Sequence, residues 1–161
     1  MALRDIVKEP DERLRKVCRP VKEITPHILT LLDDMAETMA FAEGVGLAAP
    51  QVGVLRRIVV IDVGEGLIEL INPEILEVSG EQTGPEACLS CGDRRGIVTR
   101  PSFVRVRALD RTGALREYTG EGLLARAFCH ELDHLDGIMY TEIMERFLTE
   151  EELEAEAEES N

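Results

Sequence analysis

The chain has 161 residues, a length suited to one domain with a substantial buried core. With 18 Lys and Arg against 32 Asp and Glu, its formal charge of −14 opposes nonspecific binding to nucleic acid or to an anionic membrane surface. No apolar run nears the roughly 18 residues of a membrane span, and the opening "MALRDIVKEPDERLRK" lacks the apolar centre of a secretory signal.

Taken in chain order, "EPDERLR" and "CRPV" are punctuated by Pro10 and Pro20 and read as loop. Thr25 and Pro26 suit the N-cap and first position of a helix. Ile28, Leu31, Leu32, Met35, Met39 and Ala40 recur at helical spacing up to Gly44, which is expected to end that helix. The small, Gly-rich "GVGLAAPQVG" follows. Then "RRIVVID" and "GLIELINPEILEV" read as strands broken at residues 64–66 and at Pro73. "GIVTR", "FVRVRALD" and "ALREYTG" read as three more, the last two joined in a hairpin by Arg111, Thr112 and Gly113. A long helix is expected from about Gly120 to Leu135, stopped by Gly137. A short apolar-periodic stretch, residues 143–148, leads into an acidic tail. Strands cluster in the middle with helices near both ends, which indicates an α+β fold.

The tail sets a natural boundary between a domain over residues 1–148 and a solvated segment over 149–161. Residues 150–159 carry seven glutamates, half of the net charge. Four cysteines in a chain without an export signal are expected to be thiols or ligands rather than disulfides.

The chemistry concentrates in "CHELDHLDG", residues 129–137. On a helix, Leu123, Ala127, His130 and His134 share one face, and Leu124, Phe128, Glu131 and Leu135 the adjacent one. Arg126, Cys129, Asp133 and Asp136 occupy the remaining side. Histidines at i and i+4 reach one metal ion from consecutive turns, and Glu131, about 100° round, reaches a water on that ion. A metal site needs a further ligand. The continuation HExxHxxGxxH places Tyr140 where a third histidine would stand. A glutamate within residues 142–159 would be one ligand among many like charges. Cys88 and Cys91 with both histidines would make a closed Cys2His2 structural zinc site, but 38 residues separate Cys91 from His130, where zinc fingers use about 12 to 15. Cys88 alone with the two histidines leaves a coordination position open, as catalysis requires.

Three segments, "GVGLAAPQ" (44–51), "EACLS" (86–90) and "HELDH" (130–134), in this order and spacing, resemble the three motifs of the peptide deformylases. The likeness covers about residues 3–148. It implies an α+β fold of antiparallel β-sheets packed around a central helix that carries HExxH. It implies one divalent metal on Cys88, His130 and His134, Fe(II) natively with Zn, Ni or Co able to substitute. The implied activity is hydrolysis of the N-formyl group from formyl-methionyl nascent chains, releasing formate. Metal-bound hydroxide attacks the formyl carbon, Glu131 is the general acid/base, and Gln51 and the Leu89 amide face the carbonyl. Further substrate contacts are implied for Gly44, Val45, Gly46, Glu86, Ala87, Leu123, Arg126 and Ala127. Formyl-methionyl peptides and nascent chains are the implied partners, with transient ribosome proximity and no direct nucleic-acid or membrane binding, in a bacterial cytoplasm. The chain departs from the usual pattern at Ala87, where glycine is common, and in the extra thiols Cys91 and Cys129. Some members carry a basic C-terminal extension; the acidic tail here would repel ribosomal RNA.

Overall fold

The structure is a computed structural model and describes residues 2–159. In chain order its elements are α1 (Pro26–Phe41), β1 (Gly46–Ala48), β2 (Ile58–Ile61), β3 (Ile68–Ser79), β4 (Gln82–Glu86), β5 (Gly96–Arg100), β6 (Phe103–Leu109), β7 (Leu115–Glu121), α2 (Gly122–Leu135) and α3 (Glu150–Glu159). Five strands form one antiparallel sheet in the order β1-β2-β3-β6-β7, and β4 and β5 form a second, two-stranded sheet.

Around β2 the large sheet is covered on both faces. Val59 and Ile61 of β2 point into a cluster with Phe128, Leu132 and Leu135 of α2. Ile58 and Val60 point the other way, against Leu31, Leu32, Met35 and Met39 of α1. This is why β2 reads as an unbroken apolar "IVVI" rather than an alternating strand, and why all four of its residues are buried. A third cluster, with Val7, Leu14, Val98, Met139 and Tyr140, packs around Cys88 and Cys91 beside the small sheet.

Thr25 caps α1 as the sequence indicates, its hydroxyl accepting from the Ile28 amide at 3.4 Å. The helix ends differently from the expectation. Glu43, with φ 58°, takes the left-handed position, and the Gly44 amide bonds back to the Met39 carbonyl at 3.0 Å. Gly44 therefore lies one residue beyond the left-handed cap. The expected break at Pro73 is also absent. β3 runs through it with a register shift between Ile71 and Glu74. Asn72, with φ 52°, stabilises that bulge through a two-way pairing of its side-chain amide with the Val21 backbone, each bond 2.8 Å. β1 and β4 were not legible as strands: each is short, Gly- or Pro-containing, and paired along one side only.

α2 starts at Gly122, two residues later than expected, because β7 continues to Glu121. Its third side is buried only in part: Arg126 and Cys129 are enclosed, Asp133 is half-buried and Asp136 is exposed. The helix stops at Gly137 as foreseen. The Ile138 amide bonds to the Asp133 carbonyl and that of Gly137 to His134. Residues 143 and 144 close a turn onto Tyr140, and residues 145–148 run alongside β5 instead of forming a helix; Arg146 and Glu145 exchange backbone hydrogen bonds with Ile97 of β5. α3 has no buried residue. Its Glu152 and Glu156 pair with Arg146 and Arg95.

Gly137 combines φ 75° with a close approach, since a Cβ there would lie 2.6 Å from the Arg15 carbonyl oxygen. Gly137→Ala is expected to cost about 1–3 kcal/mol and to lower Tm by at least about 2 °C in thermal unfolding of the metal-loaded chain. An unchanged Tm would contradict this account of the α2 terminus.

Candidate active site and metal centre

Three motifs from separate elements meet at one cavity of about 520 Å³. The segment after α1 brings Gly44, Val45, Gly46 and Gln51. The turn after β4 brings Ala87, Cys88 and Leu89. α2 brings Leu123, Arg126, Ala127, His130 and Glu131. Every one of these lines the cavity.

Among the described residues, Cys88, His130 and His134 form the group whose ligand atoms all lie within 4.8 Å of one another, all three side chains buried. The Nε2 atoms of His130 and His134 are 3.2 Å apart, and Cys88 Sγ is 3.4 Å from His134 Nε2. A tetrahedral ion bound at about 2.0–2.1 Å to nitrogen and about 2.3 Å to sulfur has edges of about 3.3 Å and about 3.6 Å. The donor set therefore fits a metal. Cys91 is outside this group, so the fold does not assemble the four-ligand Cys2His2 arrangement. Its amide instead closes a turn onto the Cys88 carbonyl at 2.9 Å. Tyr140, at the position of the missing histidine, is buried, stacks on the His130 ring at 6.0 Å and donates its hydroxyl to the Arg94 carbonyl.

His130 is oriented through its other nitrogen. Nδ1 donates to Glu86 Oε1 at 2.7 Å, which leaves Nε2 directed at the cluster. Glu86 lines the cavity, yet its oxygens are taken. Arg100 reaches both, at 2.8 and 2.9 Å, and Arg126 donates to Oε2 at 2.6 Å. It ties β4, β5 and α2 together at the edge of the cavity. Burial would raise its pKa, but Arg100 and His130 outweigh burial and hold the carboxyl well below the usual range. Arg126, tied to Glu86 and to the Val98 carbonyl, is occupied in the same way.

Glu131 stands apart. Its Oε1 is buried without a hydrogen-bond partner among the described residues, as is Nδ1 of His134. Burial pushes its pKa up to about 7, with His130 the largest opposing influence. Burial likewise drives His134 well below its ordinary value, which favours the neutral, metal-binding imidazole.

The glycines of "GVG" act by close approach. A Cβ on Gly44 would lie 2.7 Å from Leu89 Cδ1, and one on Gly46 would lie 2.8 Å from Glu131 Cδ. Neither has positive φ. Gln51 is fully enclosed. Its Oε1 accepts from the Ala48 amide at 3.0 Å, and Nε2 donates to Ser90 Oγ at 3.1 Å with a long contact to Cys88 Sγ at 3.5 Å. Ala87 and Leu123 are exposed at the mouth.

Sequence reasoning missed the N-terminal strap. Val7 and Glu9 amides bond to the Gln51 and Ser90 carbonyls at 2.7 and 2.9 Å, and Lys8 Nζ donates to the Leu89 carbonyl at 2.7 Å. Nothing in "IVKEP" signals this, because backbone pairing carries most of it. Arg100 was missed as well, though a lone arginine beside buried strand residues was a usable sign.

No helix of the structure is long and apolar enough to cross a membrane. The family model for polypeptide deformylase matches residues 3–149. A peptide deformylase of Caldanaerobacter subterraneus is 60% identical over 154 residues, covering 96% of this chain and 97% of that relative. One of Agathobacter rectalis is 61% identical over 145 residues, with 90% and 92% covered. Among solved structures, the peptide deformylase of Thermotoga maritima superposes with a TM-score of 0.86 at 37% identity, over 88% of this chain and 97% of that one. That of Ehrlichia chaffeensis, solved in complex with actinonin, gives 0.87 at 34% identity, over 99% and 96%. Antiparallel sheets, the central helix bearing both histidines, and these matches agree, and the chain belongs to the polypeptide deformylase family.

Proposed function

We propose that this chain is a metal-dependent hydrolase that removes the N-formyl group from formyl-methionyl nascent polypeptides and releases formate. The observation that carries the reading is Glu131, whose buried Oε1 has no hydrogen-bond partner among the described residues, lying next to a buried Cys88–His130–His134 donor set and opening on the same cavity. One divalent ion would be held by those three side chains. When bound, it supplies Lewis-acid polarisation and makes water nucleophilic at neutral pH. A thiolate with two imidazoles suits Fe(II), Zn, Ni or Co rather than Mg or Ca; we assign Fe(II) as the native ion.

The chain's own groups divide the remaining work. Glu131 takes the proton of the attacking water at its carboxylate and returns it to the leaving amine, its free Oε1 being the atom available for both transfers. The Leu89 amide and Gln51 Nε2 donate to the oxygen of the formyl group as negative charge develops there. Gln51 does so by exchanging its long Cys88 contact, while the Ala48 amide keeps its other end fixed. Val45, Leu123 and Ala127 offer apolar wall to a methionine side chain. Gly44, Gly46 and Ala87 line the cavity as contacts for the substrate backbone, the two glycines leaving the space that Leu89 and Glu131 fill. Glu86 and Arg126 act one step back, by holding His130 and the cavity floor. A nascent chain in a cytoplasmic setting is the fitting source of such a substrate, and ribosome contact would be transient.

Anaerobic assay of formate release from a formyl-Met peptide, with metal content quantified, tests the whole reading; no formate at full Fe, Ni or Co occupancy overturns it. Glu131→Gln is expected to retain metal and lose about 10²–10⁴-fold in kcat. Retention of both metal and turnover would remove Glu131 from the mechanism. Glu86→Gln is expected to weaken metal affinity about 10–100-fold in competition with a chelator, because His130 loses its orienting carboxylate. Gly46→Ala is expected to displace the Glu131 side chain and lower kcat with metal content unchanged.

A further inference from the structure

A second cavity, of about 450 Å³, lies where the N-terminal segment meets β2, and it is lined by Arg19, Lys22 and Arg56. Its cations are unusual for this molecule. Twelve of the fifteen arginines hold a carboxylate within 4.0 Å. Arg94 stacks on Phe147 and donates to the Cys91 carbonyl. The two that remain are Arg19 and Arg56. Neither guanidinium has a hydrogen-bond or ion-pair partner among the described residues, nor has the Lys22 ammonium.

In a chain with 32 carboxylates, two free arginines side by side are not an effect of composition. Arg19 and Arg56 are direct partners in an isolated parallel β-bridge, so their side chains leave the same face. Like charges directly opposite one another destabilise a strand pair. The bridge is firm despite this: the Arg19 amide bonds to the Leu55 carbonyl at 3.1 Å and the Arg57 amide to the Arg19 carbonyl at 3.0 Å. The one carboxylate in the lining, Glu23, is beyond ion-pair reach of all three cations. Thr25, the N-cap of the 16-residue α1, and Ile28 in its first turn complete the wall and bring the positive end of its dipole to the same space. Val21 and Ile28 supply apolar surface beneath the charges.

We propose that this cavity is a binding site for a small organic phosphate, with the phosphate gripped between the Arg19 and Arg56 forks and a compact apolar body against Val21 and Ile28. Guanidinium forks match phosphate oxygens two at a time, which a lysine does not. Cavities of a few hundred cubic ångströms suit small ligands. The molecule's strong net negative charge opposes an extended polyanion, whereas a single concave cluster of three cations serves one phosphate group well.

The test uses the full, zinc-loaded, 15N-labelled chain, titrated at about 0.1 M ionic strength with phenyl phosphate, inorganic phosphate and a single-stranded RNA oligonucleotide. Phenyl phosphate is expected to give saturable amide shifts confined to residues 19–28 and 55–57, and to bind more tightly than inorganic phosphate. The paired substitutions Arg19→Gln and Arg56→Gln are expected to weaken it by about tenfold or more. They are expected to leave formate release unchanged and Tm equal or higher, because a like-charge pair is removed. Absence of saturable shifts, equal binding by the double variant, or tighter binding of the RNA at the same residues would each overturn the proposal.

Discussion

One buried carboxylate organises this molecule. Glu86 ends β4, accepts from Arg100 of β5, and receives Arg126 and His130 from α2. The two-stranded sheet of β4 and β5 is thereby fixed to α2. Ion pairs this enclosed are costly to desolvate and are tolerable only when every lone pair is matched. Here four donors converge on two oxygens, and Arg100 also reaches Asp133 at 2.7 Å. The network sets the rotation of α2 about its own axis. That rotation fixes where His130 Nε2 and His134 Nε2 meet, and thus where the Cys88 turn must come.

The large sheet supplies the complementary constraint. Because β2 is buried on both faces, α1 and α2 are held at fixed depths on opposite sides of it. The connection from α1 into β1 then has no slack. It passes so close to α2 that position 46 has no room for a side chain beside Glu131, and position 44 has none beside Leu89. The glycines follow from packing between two rigid bodies, not from a turn that needs left-handed backbone. The residue that does need it is Glu43. Local capping and close approach are thus divided between neighbouring positions, which a pattern of glycines alone does not reveal.

How much of this was legible in the sequence follows the range of the interactions. The α1 cap, the hairpin at residues 111–113 and the stop at Gly137 are local, and each was readable from a few adjacent residues. The histidine pair was readable because i, i+4 spacing is a property of any helix. Cys88 was one of several open choices until the three motifs were taken together. What stayed hidden is long-range or carried by backbone: the strap at residues 7–9, the pairing of residues 145–148 with β5, and the bulge at Asn72, whose partner Val21 is 51 residues away. The burial of Arg126 was hidden for a different reason. Helical periodicity assigns charge to a solvent face, and only the position of Glu86 turns that face inward.

Tyr140 shows why a metal-binding motif does not by itself specify the bond attacked. A histidine at this point of the chain would add a third imidazole; tyrosine instead stacks on His130 and sends its hydroxyl away to the Arg94 carbonyl. The further ligand atom comes from Cys88, on the turn that also presents Leu89 to the cavity. The candidate ligand and the proposed substrate contact are thus adjacent residues of one turn, clamped from behind by Lys8 and Glu9. The proposed Leu89 donor and the Cys88 sulfur are therefore placed by the same few backbone bonds, and the sulfur is placed in turn against His134.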